Sequence, residues 1–122
     1  MTTPEQAFER YVALWSVTDE AALRELADQT LTEDVAIVYP TFEAHGRANV
    51  VAAAVRFHQD NPGVQFVLTS GVERHHGWIR GAWRMTLAGG STARDGQTII
   101  ELADDGRLRR AIGFLDPLPA RP

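Results

Sequence analysis

The sequence predicts an α+β domain in which helices from the N-terminal half pack on a strongly curved antiparallel sheet from the C-terminal half. Two observations carry this. Apolar residues recur at helical spacing before about residue 60, whereas Val64–Val72, Trp78–Leu87, Gln97–Ala103 and Leu108–Leu115 are rich in branched, aromatic or alternating residues. The turns between those later runs, His76-Gly77, Ala88-Gly89-Gly90-Ser91 and Asp104-Asp105-Gly106, place glycine where hairpins need positive φ. Four antiparallel strands in a meander need an apolar cover, and the helices supply it.

The elements follow in order. Thr2 or Thr3 ahead of Pro4 and Glu5 is a helix start, with a hydroxyl cap, proline in the first turn and an acid at the positive dipole end. Ala7, Phe8, Tyr11, Val12, Leu14 and Trp15 then share one face. Thr18-Asp19 caps a second helix striped by Ala22, Leu23, Leu26 and Ala27, which fades near Gln29–Thr32. Asp34–Tyr39 reads as a short strand ended by Pro40, and Pro40–Gly46 as a loop. A third helix starts at Arg47 or Ala48 and is stopped by Asp60-Asn61-Pro62-Gly63. Residues 1–116 are expected to form one domain, with the proline-rich 117–122 as a tail.

Composition narrows the function. Net charge is −4 with both signs interspersed, which argues against a nucleic-acid surface. Cysteine is absent, so disulfides and thiolate metal sites are excluded. No apolar run approaches the ~20 residues of a membrane span, and the first residues lack a signal-peptide pattern. The expectation is a soluble, cytoplasmic protein with no membrane partner.

Three stretches together resemble the NTF2-like superfamily, in its SnoaL-like and ketosteroid-isomerase-like branch. They are Phe8–Trp15 with Asp19 after it, Asp34–Pro40 leading to Gly46, and Asp105–Leu108 with the ending Gly113–Asp116. The resemblance runs from about Pro4 to Asp116 and implies an α+β cone, often dimeric through its outer sheet face. It also implies where chemistry would sit. The isomerases' catalytic aspartate, just before the proline after the first strand, falls at Tyr39. Their oxyanion-hole tyrosine on the first helix matches Tyr11, and the partner acid on a late strand falls at Thr98. The acid of the family's epoxide hydrolases falls at Gly113. Both isomerase carboxylates and the hydrolase acid are therefore absent, and no cyclase counterpart aligns.

In that register Ile79, Gly81, Trp83 and Met85 face the cone, as do Thr98, Ile100 and Leu102, and then Arg109, Ala111, Gly113 and Leu115. Trp78, Ile99, Ile112 and Phe114 face outward, an apolar set that favours a homodimer. Tyr11, Trp15, Tyr39, Phe57, Trp83, Met85, Thr98 and Gly113 are the expected pocket residues. Tyr11 and Tyr39 are either hydroxyl donors to a ligand oxygen or core aromatics with backbone partners. His45, two residues after Glu43 and near the expected mouth, is either a general base or half of a solvated loop pair. His58 either looks into the pocket or borders solvent. His75 and His76 should leave a strand on opposite faces and share no metal; no metal or cofactor is expected.

Two functions remain open. One is a cofactor-independent isomerase, cyclase or lyase acting on a small hydrophobic molecule with a carbonyl or hydroxyl, with His45 or His58 moving the proton. The other is a non-catalytic binding or dimerisation module. An open cavity with a histidine in reach of a tyrosine hydroxyl marks the first. A cone plugged by Trp83 and Met85 marks the second.

Overall fold

The computed structural model describes residues 2–122, so Met1 of the expected domain lies outside them. Helix α1 spans Pro4–Leu14 and α2 spans Glu20–Thr30. Strands β1 (Leu31–Tyr39) and β2 (Phe42–His45) follow, then α3 (Arg47–Asp60). The remainder is β3 (Gln65–Leu68), β4 (Glu73–His75), β5 (Trp78–Thr86), β6 (Thr92–Leu102) and β7 (Leu108–Leu115).

Local chemistry sets the helix starts. Thr3 and Gln6 form a reciprocal cap on α1: the Gln6 amide donates to Thr3 Oγ1 at 3.1 Å, and the Thr3 amide to Gln6 Oε1 at 2.9 Å. Asp19 accepts the Ala22 amide at 2.9 Å and starts α2. The other end of α2 is held by two guanidiniums. Arg47 reaches the Leu31 carbonyl and Asp28 at 3.2 Å each, and Arg107 reaches the Asp28 carbonyl at 3.4 Å. Positive charge at a helix C-terminus opposes the macrodipole there.

Among the described residues the seven strands form one open sheet in the order β2-β1-β7-β6-β5-β3, with β4 also pairing with β5. The sheet is mixed rather than wholly antiparallel, because β1 runs parallel to β7. Phe42–His45, expected as loop, pairs with β1 as a hairpin. The expected strand Val64–Val72 is replaced by two edge pieces, β3 and β4. Strand β6 starts five residues before the expected Gln97, at Thr92. The His76-Gly77 turn is as expected, with φ of 54° and 83° at its two residues. His76 therefore leaves the strand alternation, and its Nδ1 sits 3.2 Å from His75 Nδ1 instead of on the opposite face.

Alternation along β5 and β6 matches the expected register: Ile79, Gly81, Trp83, Thr98 and Ile100 are buried. Strand β7 departs at one point. Its register slips between Leu102↔Leu108 and Glu101↔Arg110, leaving Arg109 as an extra residue. Leu108 goes into the core in its place, and Arg109, expected to face inward, is exposed and shares Glu101 with Arg110. Phe8, Leu14, Leu23, Ile37, Ile79 and Ile100 form the centre of the core between helices and sheet.

Candidate functional site

The site begins with three residues that have no side chain. Gly81, Gly96 and Gly113 lie on the concave side of neighbouring strands, and Thr98 is paired with both Gly81 and Gly113. Each glycine is covered by a ring: Phe8 over Gly81, Trp83 over Gly96, and Tyr39 over Gly113. A Cβ at Gly113 or Gly96 would overlap the ring above it, so only glycine lets Tyr39 and Trp83 lie this close to the sheet. Lying there, both rings aim their polar ends at Thr98.

A row of hydrogen bonds results. Trp83 Nε1 donates to Thr98 Oγ1 at 2.9 Å, Thr98 Oγ1 meets the Tyr39 hydroxyl at 2.9 Å, and Tyr39 meets the Tyr11 hydroxyl at 2.7 Å. Four hydrogens serve these three bonds, one indole N–H and three hydroxyl O–H. One hydroxyl hydrogen is therefore always left over. Leaving it on Thr98, which is fully buried behind the rings, strands it; leaving it on Tyr11 or Tyr39 keeps it on a residue of the cavity wall. Beside Tyr11, the Trp15 indole N–H is buried and has no partner among the described residues. It lies near enough to the Tyr11 hydroxyl to favour the phenolate slightly, without closing a hydrogen bond.

Burial dominates the acidity of both tyrosines. It pushes Tyr11 well above 10.0, helped by the neighbouring Tyr39, and pushes Tyr39 up to about 12 against the opposing bonds from Thr98 and Tyr11. The Tyr39 ring keeps some exposure while its hydroxyl end is enclosed. Both phenols stay protonated at neutral pH and act as donors.

Above this row is a cavity of about 320 Å³, at the small end of the range typical for ligand sites. Its wall is a belt of rings in which each touches the next: Tyr39 stacks on Phe42 at 5.4 Å, Phe42 meets Trp15 at 5.5 Å, and Trp15 meets Phe57 at 6.2 Å. Phe66 continues it at 5.7 Å from Phe57 and 5.6 Å from Trp83. The edge carrying Phe66 is fastened to the end of α1, because the Phe66 amide donates to Ser16 Oγ at 2.9 Å. Val12, Pro40, Thr41, Met85, Ala93, Arg94 and Leu115 complete the lining.

The residues expected from the sequence divide into three groups. Tyr11, Trp15, Tyr39, Phe57, Trp83 and Met85 line the cavity. Thr98 and Gly113 lie behind it, Thr98 as the anchor of the row and Gly113 as the floor under Tyr39. His45 and His58 do not line it. His45 is exposed on β2, 3.4 Å from Glu43, while His58 packs edge-on to Phe57 with Nε2 buried and without a partner among the described residues. Phe42, Phe66 and Arg94 were not foreseen. Each sits where the strand boundaries differ from the expected ones, and counting back from Thr98 in twos reaches Arg94.

No family model matches the sequence, and no curated protein matches it. Solved structures do. A candidate isomerase of the SnoaL-like family from Agrobacterium tumefaciens superposes with a TM-score of 0.90 at 28% identity, covering 96% of this chain and 100% of that one. The fold is NTF2-like. This NTF2-like chain also superposes on a candidate SnoaL-like polyketide cyclase from a Jannaschia species. The TM-score is 0.68 at 18% identity, over 93% of this chain and 89% of that one. A protein of ketosteroid-isomerase-like fold from Catenulispora acidiphila, solved with trimethylamine, gives 0.72 at 14%, over 92% and 86%. The last two likenesses concern the NTF2-like fold alone.

Proposed function

We propose that this NTF2-like cone binds a small, mostly apolar organic molecule through a hydrogen-bond acceptor, such as a carbonyl oxygen, placed against the Tyr11 hydroxyl and the Trp15 N–H. The observation that supports this is the donor surplus: a row with one hydrogen too many, next to a second buried N–H without a partner. An acceptor oxygen satisfies what the protein leaves unsatisfied, and the ring belt removes the rest of the ligand from water. Preorganised neutral donors of this kind would also stabilise enolate charge, as the isomerase, cyclase or lyase reading requires. That reading needs in addition a group that accepts a proton, and no carboxylate or imidazole lines the cavity among the described residues. The weight therefore falls on binding, with carbonyl polarisation as its chemical consequence.

Calorimetry with 2-acetylnaphthalene and 2-isopropenylnaphthalene, which differ by oxygen against methylene, tests the proposal. The ketone is expected to bind about tenfold tighter, and Tyr11→Phe to remove that advantage. Equal affinity of the two for the wild-type protein would refute it.

The outer face supports a second proposal, a homodimer. Val38, Ile112 and Ile99 stand side by side across β1, β7 and β6 in the pairing register, with Phe114 next along β7. Phe114 is 51% exposed and Ile112 39%. A second copy laid on this stripe would cover it.

A further inference from the structure

The class of ligand follows from where charge stands around the cavity, and this inference rests on the binding reading above. On β6 the residues Thr98, Gly96 and Arg94 leave the strand on the same, concave side. Thr98 is deepest and Gly96 lies under Trp83. Arg94, opposite Met85 in the register, reaches the rim, where it is exposed and lines the opening.

Every basic residue of the chain other than histidine is an arginine, and most have a carboxylate partner. Arg24, Arg47, Arg80, Arg84, Arg107, Arg109 and Arg110 are each within 3.2 Å of one. Among the described residues Arg94 has none, nor do Arg10, Arg56, Arg74 and Arg121, and of these five Arg94 alone lines the cavity. The nearest acid in sequence, Asp95, leaves the strand on the opposite face and is gripped there by Arg84 at 2.8 and 3.3 Å. No aspartate or glutamate lines the cavity, so Arg94 is the one formal charge on its wall among the described residues.

We propose that the ligand is an amphipathic organic acid. Its ring body lies in the aromatic belt, its acceptor oxygen meets Tyr11 and Trp15 at the closed end, and its carboxylate sits at the rim against Arg94. Two physical requirements agree on this arrangement. The interior is apolar and would reject an ion, so a charged group belongs at the wet opening. A guanidinium presents a planar fork that matches a carboxylate. The two ends of the cavity then demand different chemistry, which fixes the direction in which a ligand enters.

Two acid and amide pairs test it by calorimetry at low ionic strength: 4-acetylbenzoic acid with 4-acetylbenzamide, and 6-acetyl-2-naphthoic acid with its carboxamide. Wild-type protein is expected to favour the better-fitting acid over its amide by about three- to tenfold, with the margin shrinking as salt is added. Arg94→Met, which keeps an apolar stem and removes the charge, should bring acid and amide together, and Arg94→Lys should restore part of the margin. Amide binding as tight as acid binding in the wild type, or a margin that survives Arg94→Met, would overturn the inference while leaving the binding reading intact. If neither member of either pair binds, the binding reading falls and the inference with it.

Discussion

The Tyr39 hydroxyl is bonded on both sides, to Tyr11 and to Thr98, and neither neighbour carries a charge. Its ionisation must therefore place a phenolate among neutral groups with little water, which is why its pKa rises to about 12 and that of Tyr11 rises too. The chain has just 2 tyrosines, so a spectrophotometric titration reads this site alone. Tyrosinate absorbance is expected to stay flat through pH 10 and to grow only near 12. The linkage has a definite sign. The unfolded chain loses these protons near pH 10 and the folded chain later, so the folded state holds more protons in between. The contribution of Tyr39 to stability is full below about pH 10 and falls by about 2–3 kcal/mol as pH rises to about 12. A tyrosinate signal already half complete at pH 10 would contradict the enclosure of the row. At this scale the sequence revealed the residue types but not their neighbours. Tyr11, Tyr39 and Thr98 could each be named, but their joining depends on Gly113 lying under Tyr39 and beside Thr98 of the neighbouring strand, and no local pattern encodes that.

Among the elements, β3 is one of those least secured by their own pairing. It has four residues, meets β5 on one side, and carries Phe66 into the cavity wall. Its other side is fastened to the end of α1 by Ser16, which accepts the Phe66 amide. Ser16→Ala leaves that amide without its partner in a half-buried place, and a cost of about 1–2 kcal/mol is expected by chemical denaturation. Hydrogen exchange should speed up at Phe66 in the same variant; unchanged protection there would show that the fastening is dispensable. Helices were the readily legible elements, since caps and stops are local: Thr3, Asp19 and the Asp60-Asn61-Pro62-Gly63 stop mark where they begin and end. Strand ends were less so. β6 extends back to Thr92 because β5 offers partners that far, and pairing with a distant segment leaves no trace in the residues themselves. The slip at Arg109 belongs to the same kind, since a bulge is decided by two strands together.

For the molecule as a whole, the sheet separates two environments. The concave side holds the cavity, and the convex side holds the apolar stripe together with ion pairs such as Arg84–Asp95 and Arg80–Glu73. Among the described residues no helix is long and apolar enough to cross a membrane. If a second copy covers the stripe, sedimentation should give the mass of a dimer, and Ile112→Arg should shift the equilibrium toward the single chain by about tenfold or more in dissociation constant. A wild-type protein that sediments as one chain at tens of micromolar would rule the dimer out. The α+β architecture and its inward and outward faces were readable because period-two alternation survives along β5 and most of β6. The parallel pairing of β1 with β7 was not, because it joins the first third of the chain to its end.

The row of hydroxyls has a consequence for what the cavity can tell apart. Rotating three O–H bonds, with no heavier atom displaced, reverses both hydroxyl–hydroxyl bonds while Trp83 goes on donating to Thr98, and offers a visitor a lone pair where the row had offered a proton. The reversal strands one proton on Thr98, at about 1–3 kcal/mol. A guest that can only give a hydrogen is thus admitted at a handicap, and one that can only receive it enters freely, so the polarity of the pocket is a bias with a known reverse gear.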